Sequence, residues 1–188
     1  IYSVASDGAL SSKSTLTPPI NGQYTLDFNP VLLSGETQNH LRLIGIDLSN
    51  AIINVDSGNV SPEKLVSGTP TPVVKAAAYL NNFRSAAATN LLVIDSANST
   101  LNVQDISTNS SQGALTRISA LGITLDRNSP VGFDISGRNN ENQLLMARTA
   151  TTGNFSLYRV NSAVTSNPLT LVGVIAGSEL FIDIAIRF

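Results

Sequence analysis

The chain has 188 residues, of which 42% are hydrophobic and 13% are charged, and its formal net charge is −2. This length suffices for one domain with a substantial core, and the charged share is about half of that in a typical globular domain. Because the sequence has no basic excess and no cysteine, it argues against nucleic-acid binding, disulfides and thiol chemistry.

The first residues form a predicted strand, with no charged leader before them and no apolar run of about 18 residues anywhere in the sequence. We therefore expect no insertion into a membrane. We interpret the chain as a secreted, extracellular or cell-surface protein whose signal peptide has already been removed. This interpretation is an expectation from composition and pattern.

Period-two alternation and β-branched residues dominate the chain, and they predict about sixteen short strands and no long helix. In chain order, the predicted strands are residues 1–6, 10–14, 15–17, 24–28, 41–45, 52–56, 64–66, 75–79, 91–95, 101–105, 115–120, 131–135, 144–148, 157–161, 169–174 and 180–188. Short segments rich in Asp, Asn, Ser and Gly separate many of them, as expected for turns.

The predicted strands repeat with a period of about 50 residues, which is the size of a β-propeller blade. Segments 52–56, 101–105 and 157–161, for example, each open on an aliphatic residue and close on a small polar one. The fold class is therefore all-β and β-propeller-like, with about four four-stranded blades. We find no domain boundary, so residues 1–188 form a single predicted domain.

The repeat starts and stops out of phase with the termini. Residues 1–6 lack a preceding first strand, and residues 180–188 form a first strand that lacks successors. The N- and C-terminal strands are therefore predicted to share one blade, which removes two exposed sheet edges. Their pairing can close within one chain, or it can join one chain to the next and build a filament.

Alternation along the first strands of the repeat also predicts the core. Seven apolar side chains are expected to be largely buried between blades: Leu26, Phe28, Tyr79, Phe133, Ile135, Ile182 and Ile184.

Six runs in this sequence resemble one protein family, and they are residues 26–30, 39–43, 76–82, 132–135, 157–160 and 169–173. They are similar to the bacterial DUF4394 family, and the resemblance extends from about Tyr24 to the C-terminus. It implies a secreted, propeller-like domain of unknown function, and it brings no catalytic residues. At its N-terminal end the chain departs from the family pattern, since it lacks about one blade of the repeat.

Three aspartates occupy the same place in the first strands of the repeat, namely Asp27, Asp134 and Asp183, with Ala78 in the fourth place. If these strands are innermost, the carboxylates form a ring around a channel, which is suited to a hard cation such as Ca²⁺. The alternative is that each carboxylate accepts hydrogen bonds from nearby backbone or is hydrated. Segment 134–142 is rich in oxygen ligands but lacks EF-hand spacing, so we interpret it as a polar hairpin loop.

The sequence offers no plausible catalytic set. His40 is the only histidine, and no Gly-x-Ser-x-Gly motif accompanies it. The leading hypothesis is therefore a non-enzymatic structural or adhesive building block that forms homo-oligomers or filaments through its terminal strands, without a required cofactor. The alternatives are a module that binds a glycan or small ligand on a propeller face and a metal-assisted hydrolase that uses the aspartate ring.

Overall fold

The computed structural model describes residues 1–32, 40–83, 86–137, 139–175, 181 and 183–186. Within these residues the secondary structure consists of strands, and no helix occurs. The strands are β1 (Tyr2–Val4), β2 (Leu10–Ser12), β3 (Tyr24–Phe28), β4 (Leu41–Gly45), β5 (Asn50–Ile53), β6 (Val60–Pro62), β7 (Val74–Tyr79), β8 (Leu91–Asp95), β9 (Thr100–Gln104), β10 (Leu115–Ala120), β11 (Val131–Ser136), β12 (Asn142–Arg148), β13 (Phe155–Val160) and β14 (Leu169–Val174). The all-β prediction is thus confirmed.

The strands form four antiparallel sheets, in each of which neighbouring strands follow one another in the chain. Strands β1 and β2 form a two-stranded hairpin, and we call the three four-stranded sheets sheet I (β3–β6), sheet II (β7–β10) and sheet III (β11–β14). In each of these sheets the first strand is an edge strand. The three first strands contact one another in sequence, β3 against β7 and β7 against β11.

Five strands have the bounds that the sequence predicts: β3, β4, β8, β10 and β14. Two of the predicted strands are wrong. Residues 15–17 contribute only a bridge between Thr17 and Asn59, and residues 64–66 follow β6 instead of forming it.

A tight turn explains the earlier position of β6. The side chain of Asn54 accepts hydrogen bonds from the amides of Asp56 and Ser57, each at 3.0 Å, so the chain reverses directly after β5. Gly58 completes the turn with a φ of +76°, and a Cβ atom there would lie 2.0 Å from the carbonyl oxygen of Thr15. Only glycine fits this close approach, which lets the N-terminal segment lie against sheet I.

Alternation along β7 assigns its side chains to two different neighbours. Ala77 and Tyr79 pack in one apolar cluster with Ile44 of sheet I, whereas Ala76 and Ala78 pack in another with residues of sheet III, including Phe133. Sheet II is therefore covered on both faces, which places the main core on either side of it.

The core prediction is confirmed for β7 and β11, whose predicted residues pack against the sheet before them. It is wrong for β3, which has no four-stranded sheet before it among the described residues. Tyr79, Phe133 and Ile135 are buried, but Leu26 and Phe28 are 52% and 49% exposed. Both lie on the face of sheet I that points away from sheet II, since Thr25 and Asp27 between them face β7. Ile184 is partly buried, and Ile182 lies outside the described residues.

The N-terminal segment covers part of that face of sheet I. Ile1, Leu16 and Ile20 pack against the buried apolar residues of β4, β5 and β6. The hydroxyl of Ser14 donates a hydrogen bond of 2.7 Å to the carbonyl oxygen of Val55. Strands β1 and β2 themselves remain exposed at every position.

Residues 183–186 lie against β11 of sheet III, where the amide of Ile186 donates to Asp134. A Cβ atom at Gly132 would come within 2.7 Å of the amide nitrogen of Ile184, so glycine permits this contact. The rings of Phe155 and Phe181 meet edge to face, with centroids 5.7 Å apart. Among the described residues, β1 pairs with β2 alone, and the segment at 183–186 contains no strand, so the shared terminal sheet is not seen in them.

Candidate functional site

The three predicted aspartates share one local geometry. Each accepts a hydrogen bond through its Oδ1 atom from the amide of the next residue, at 2.7 Å for Asp27 and 2.8 Å for Asp134 and Asp183. The aspartates on β3 and β11 are partly buried, whereas Asp183 is exposed. This hydrogen bond to Oδ1 holds each carboxylate beside its own segment, and it leaves Oδ2 available to accept a hydrogen bond from an adjacent segment.

Two of these second oxygens reach the adjacent segment. The Oδ2 atom of Asp27 accepts the amide hydrogen of Tyr79 at 2.7 Å, and that of Asp134 accepts the amide hydrogen of Ile186 at 2.6 Å. Thr25 likewise accepts the amide hydrogen of Ala77 at 3.0 Å. Side chains of β3 therefore accept hydrogen bonds from amides along the free edge of β7. Without these acceptors, the amides of an edge strand would bond to solvent or to another chain.

Burial sets the protonation behaviour of this cluster. It raises the pKa of Asp27 from 3.8 to about 7, against the lowering effect of the hydrogen bonds from Tyr79 and Phe28. The charges of Asp134 and Asp183 raise the pKa of Asp27 further, so the three carboxylates lie within electrostatic reach of one another. Burial and Asp134 also raise the pKa of Asp183, although solvent screens that exposed group.

The structure thus brings the three aspartates together and gives their oxygens backbone donors as partners. In the described part of the chain, no group of three or more His, Cys, Asp or Glu side chains is placed to hold a metal ion. The channel site for a cation such as Ca²⁺ at Asp27, Asp134 and Asp183 stays a prediction. The observed bonds are those of its alternative, in which each carboxylate is tied to neighbouring backbone.

A buried ion pair, which sequence reasoning missed, joins sheets I and II. Arg42 of β4 is 4% exposed, and its Nε atom donates to the Tyr79 hydroxyl at 2.7 Å. Its Nη1 atom donates to Asn50 Oδ1 at 2.7 Å and to Glu63 Oε2 at 2.5 Å. The guanidinium group of this β4 residue therefore contacts β5, β7 and the residue after β6, which ties the two sheets together.

The surroundings of this network determine the protonation states of Arg42 and Tyr79. Burial alone lowers the pKa of Arg42, but Tyr79 and Glu63 outweigh it, so the pKa is raised and the guanidinium stays charged. Burial raises the pKa of Tyr79 to about 12, so its hydroxyl stays protonated. The one signal in the sequence was a charged residue within the apolar run of residues 41–44, which is unusual for a strand buried on both faces.

Two further segments considered in the sequence analysis are His40 and the polar loop between β11 and β12. His40 is 8% exposed, and its Nδ1 atom has no hydrogen-bond partner in the described part of the chain. It lies beside Arg42 and Tyr79. The polar loop between β11 and β12 is a hairpin connection, as predicted, since Ser136 pairs with Asn142 across it.

Fold and site together define an all-β protein of consecutive antiparallel sheets that are joined by side-chain hydrogen bonds and a buried ion pair. The model of one protein family, described as a domain of unknown function (DUF4394), matches residues 1–185, and the chain belongs to this family. The match begins at residue 1, so the resemblance extends further towards the N-terminus than the sequence runs from Tyr24 onwards indicate. No curated protein and no solved structure matches the chain. No helix in the described residues is long and apolar enough to cross a membrane.

Proposed function

We propose that this protein is a secreted, non-enzymatic structural building block that associates with further copies of itself through its terminal segments. In this proposal, sheets I to III are propeller blades, and a fourth blade combines the β1–β2 hairpin with residues 180–188. The hairpin of one copy takes this strand from the next copy, and repetition of the contact builds a filament.

The observation that carries the proposal is the part of sheet I around β3 that the N-terminal segment leaves exposed. Residues at the corresponding positions of sheets II and III face a preceding sheet and are buried, as Tyr79 and Ile135 show. Leu26 and Phe28 remain about half exposed, and Tyr2, Val4 and Leu10 of the hairpin are 65–69% exposed. Exposed apolar side chains beside an unpaired strand edge are typical of a site for strand addition.

The described C-terminal residues supply a segment of the required kind. Residues 183–186 lie next to β11 as a first strand would, and the bond from Ile186 to Asp134 repeats the bond from Tyr79 to Asp27. Among the described residues, no strand precedes β3 in the series of first strands, whereas residues 183–186 follow β11. Two copies placed head to tail satisfy both sides with the contacts already used between sheets I and II.

Composition supports the remaining parts of the proposal. A charged share of 13% and a net charge of −2 keep the charge repulsion between copies small, which favours self-association. The sole histidine is buried, and the aspartates serve as acceptors for backbone donors, which favours a structural role over hydrolysis. The same features speak against the metal-assisted hydrolase, so the first alternative is a module that binds a glycan or small ligand on a propeller face.

Cross-linking of introduced cysteines tests the proposal, because the chain has none of its own. We expect a Val4→Cys chain mixed with an Ala185→Cys chain to form a covalent heterodimer with a short bismaleimide. A chain that carries both substitutions should give a ladder of oligomers on denaturing gels. Light scattering and electron microscopy of the untreated parent should show assemblies larger than one chain.

A matched control replaces Val4→Cys with Leu65→Cys, which is 63% exposed but lies outside the hairpin. This variant should not cross-link to Ala185→Cys above background. An intrachain cross-link in the double variant, with no heterodimer in the mixture, would show that the ring closes within one chain and would overturn self-association. The same holds if Val4→Cys reacts no better than the control.

A further inference from the structure

Strand β14 is the outer edge of sheet III, where β13 is the one described strand that pairs with it. Its side chains Leu171, Val172 and Val174 are 56–58% exposed. In the described part of the chain, no backbone hydrogen bond joins β14 to a segment outside sheet III. The outward N–H and C=O groups of this strand therefore stand beside exposed apolar side chains, an arrangement that an added strand completes.

The outer strands of the other two four-stranded sheets carry residues that oppose such pairing. Strand β6 is three residues long, ends on Pro62 and is followed by Glu63, and β10 exposes Arg117. Charged residues and proline are common means of protecting a sheet edge. Strand β14 has neither. Both β10 and β14 contain a register shift against their neighbours, so the two edges differ in charge and not in regularity.

The composition of β14 favours pairing with another strand. Its sequence, Leu-Thr-Leu-Val-Gly-Val, is rich in residues with high β-propensity and contains no charged residue and no proline. A Cβ atom at Gly173 would meet no atom within 4 Å, so the strand is open at this point as well. Sequences of this kind at an exposed edge associate readily unless a charge interrupts them.

A pocket of about 430 Å³ lies beside this edge, and Leu171 and Val174 of β14 form part of its wall. Ser156 and Tyr158 of β13 line it too, together with the turn between β12 and β13 and the segment after β10. None of its described lining residues is charged. Because side chains of an added strand alternate between the two faces of a sheet, those on this face would lie next to an uncharged pocket.

Charge identifies a second copy of the same strand as a suitable partner. An antiparallel pair about a two-fold axis brings identical residues close together, so two copies of β10 would bring Arg117 near its own copy. Two copies of β14 bring no like charges together. The charged residue nearest to the edge in the paired part of β13 is Arg159, one strand further in. Its two copies would be at least three strand spacings apart, about 14 Å, which exceeds the Debye length of about 8 Å.

We infer that β14 is a second self-association site, at which β14 of another copy adds antiparallel about a two-fold axis. The two copies of sheet III then form one continuous eight-stranded sheet. This contact closes in a pair, whereas the proposed terminal contact repeats from head to tail. It uses a different part of the molecule, so it does not rest on the terminal contact. Where both contacts form, they join filaments side by side.

Disulfide formation in single-cysteine variants tests the inference, because the parent chain has no cysteine. The variants are Thr170→Cys, Leu171→Cys, Val172→Cys and Val174→Cys, at positions that are exposed on β14. A residue on the two-fold axis faces its own copy, so at least one variant should form a covalent dimer on oxidation, with lower yields on either side of it. Thr116→Cys, exposed on β10, is the matched control and should stay monomeric on denaturing gels.

A charge placed on the edge provides a second measurement. Val172→Lys, added to whichever of the other three variants cross-links best, should lower the yield of dimer at least about fivefold. Leu65→Lys, also at an exposed apolar residue, should not, and circular dichroism checks that both chains fold. Val172→Lys should leave the cross-link between Val4→Cys and Ala185→Cys unchanged, which separates this contact from the terminal one. No dimer in any of the four variants, a yield no higher than that of Thr116→Cys, or a yield that Val172→Lys does not lower would overturn the inference.

Discussion

Replacement of Arg42 by methionine is expected to lower the free energy of unfolding by about 3–5 kcal/mol, as for other buried pairs that lose one partner. The change leaves the carboxylate of Glu63 and the hydroxyl of Tyr79 without the donor that they share. Both groups lie in the contact between sheets I and II, where little water can replace the guanidinium. Urea unfolding, followed by circular dichroism, measures the difference from the parent.

Lys13→Met provides the matched control, because Lys13 also forms an ion pair, at 2.5 Å with Asp56, but its side chain is 39% exposed. This pair should contribute less than about 1 kcal/mol. The double variant Arg42→Met with Glu63→Gln should be less destabilised than the sum of its parts, because the second change removes the stranded charge. Equal effects of Arg42→Met and Lys13→Met would show that the buried network does not join the sheets.

The second large effect concerns pH. Because the folded-state pKa of Asp27 is raised from 3.8 to about 7, the folded chain binds this proton more tightly than the unfolded chain does. Its stabilising contribution is present at and below about pH 4 and is lost as the pH rises through about 7. The rise corresponds to roughly 4 kcal/mol across that interval, and Asp183, whose pKa is also raised, acts in the same direction.

Asp27→Asn mimics the protonated acid, so it should remove most of the stability difference between about pH 4 and pH 7. Urea titrations at several pH values measure this slope. Asp126→Asn is the control, because hydrogen bonds from Ser129 and Asn128 lower the pKa of Asp126 and confine its effect to more acidic conditions. A slope in Asp27→Asn as steep as that of the parent would show that Asp27 is not the titrating group.

Local sequence pattern was sufficient for the elements that alternate regularly between short polar turns. Strands β3, β4 and β8 match their predicted bounds because apolar residues and turn residues define both of their ends. The pattern also identified Asp27, Asp134 and Asp183 as equivalent, and their shared bonds to the following amide bear this out.

What the pattern could not supply was the identity of the neighbour on each face. Leu26 and Tyr79 have the same alternation, yet one is exposed and the other buried, because among the described residues only Tyr79 faces another four-stranded sheet. Arg42 depends on Glu63 and Tyr79, which lie 21 and 37 residues away in the chain. Such contacts are fixed by the packing of sheets, and a single sequence does not encode them in any local period.

The consecutive order of strands within each sheet also bears on how the chain folds. A meander forms by closing short loops, so each sheet loses little chain entropy before its hydrogen bonds are made. Contacts between sheets span larger separations, such as the 52 residues between Asp27 and Tyr79, and should form later. Sheet II, covered on both faces, should hold its amide hydrogens longest against exchange, and the exposed β1–β2 hairpin should release them first. Under the proposed assembly, amide protection in this hairpin should therefore rise most when copies associate.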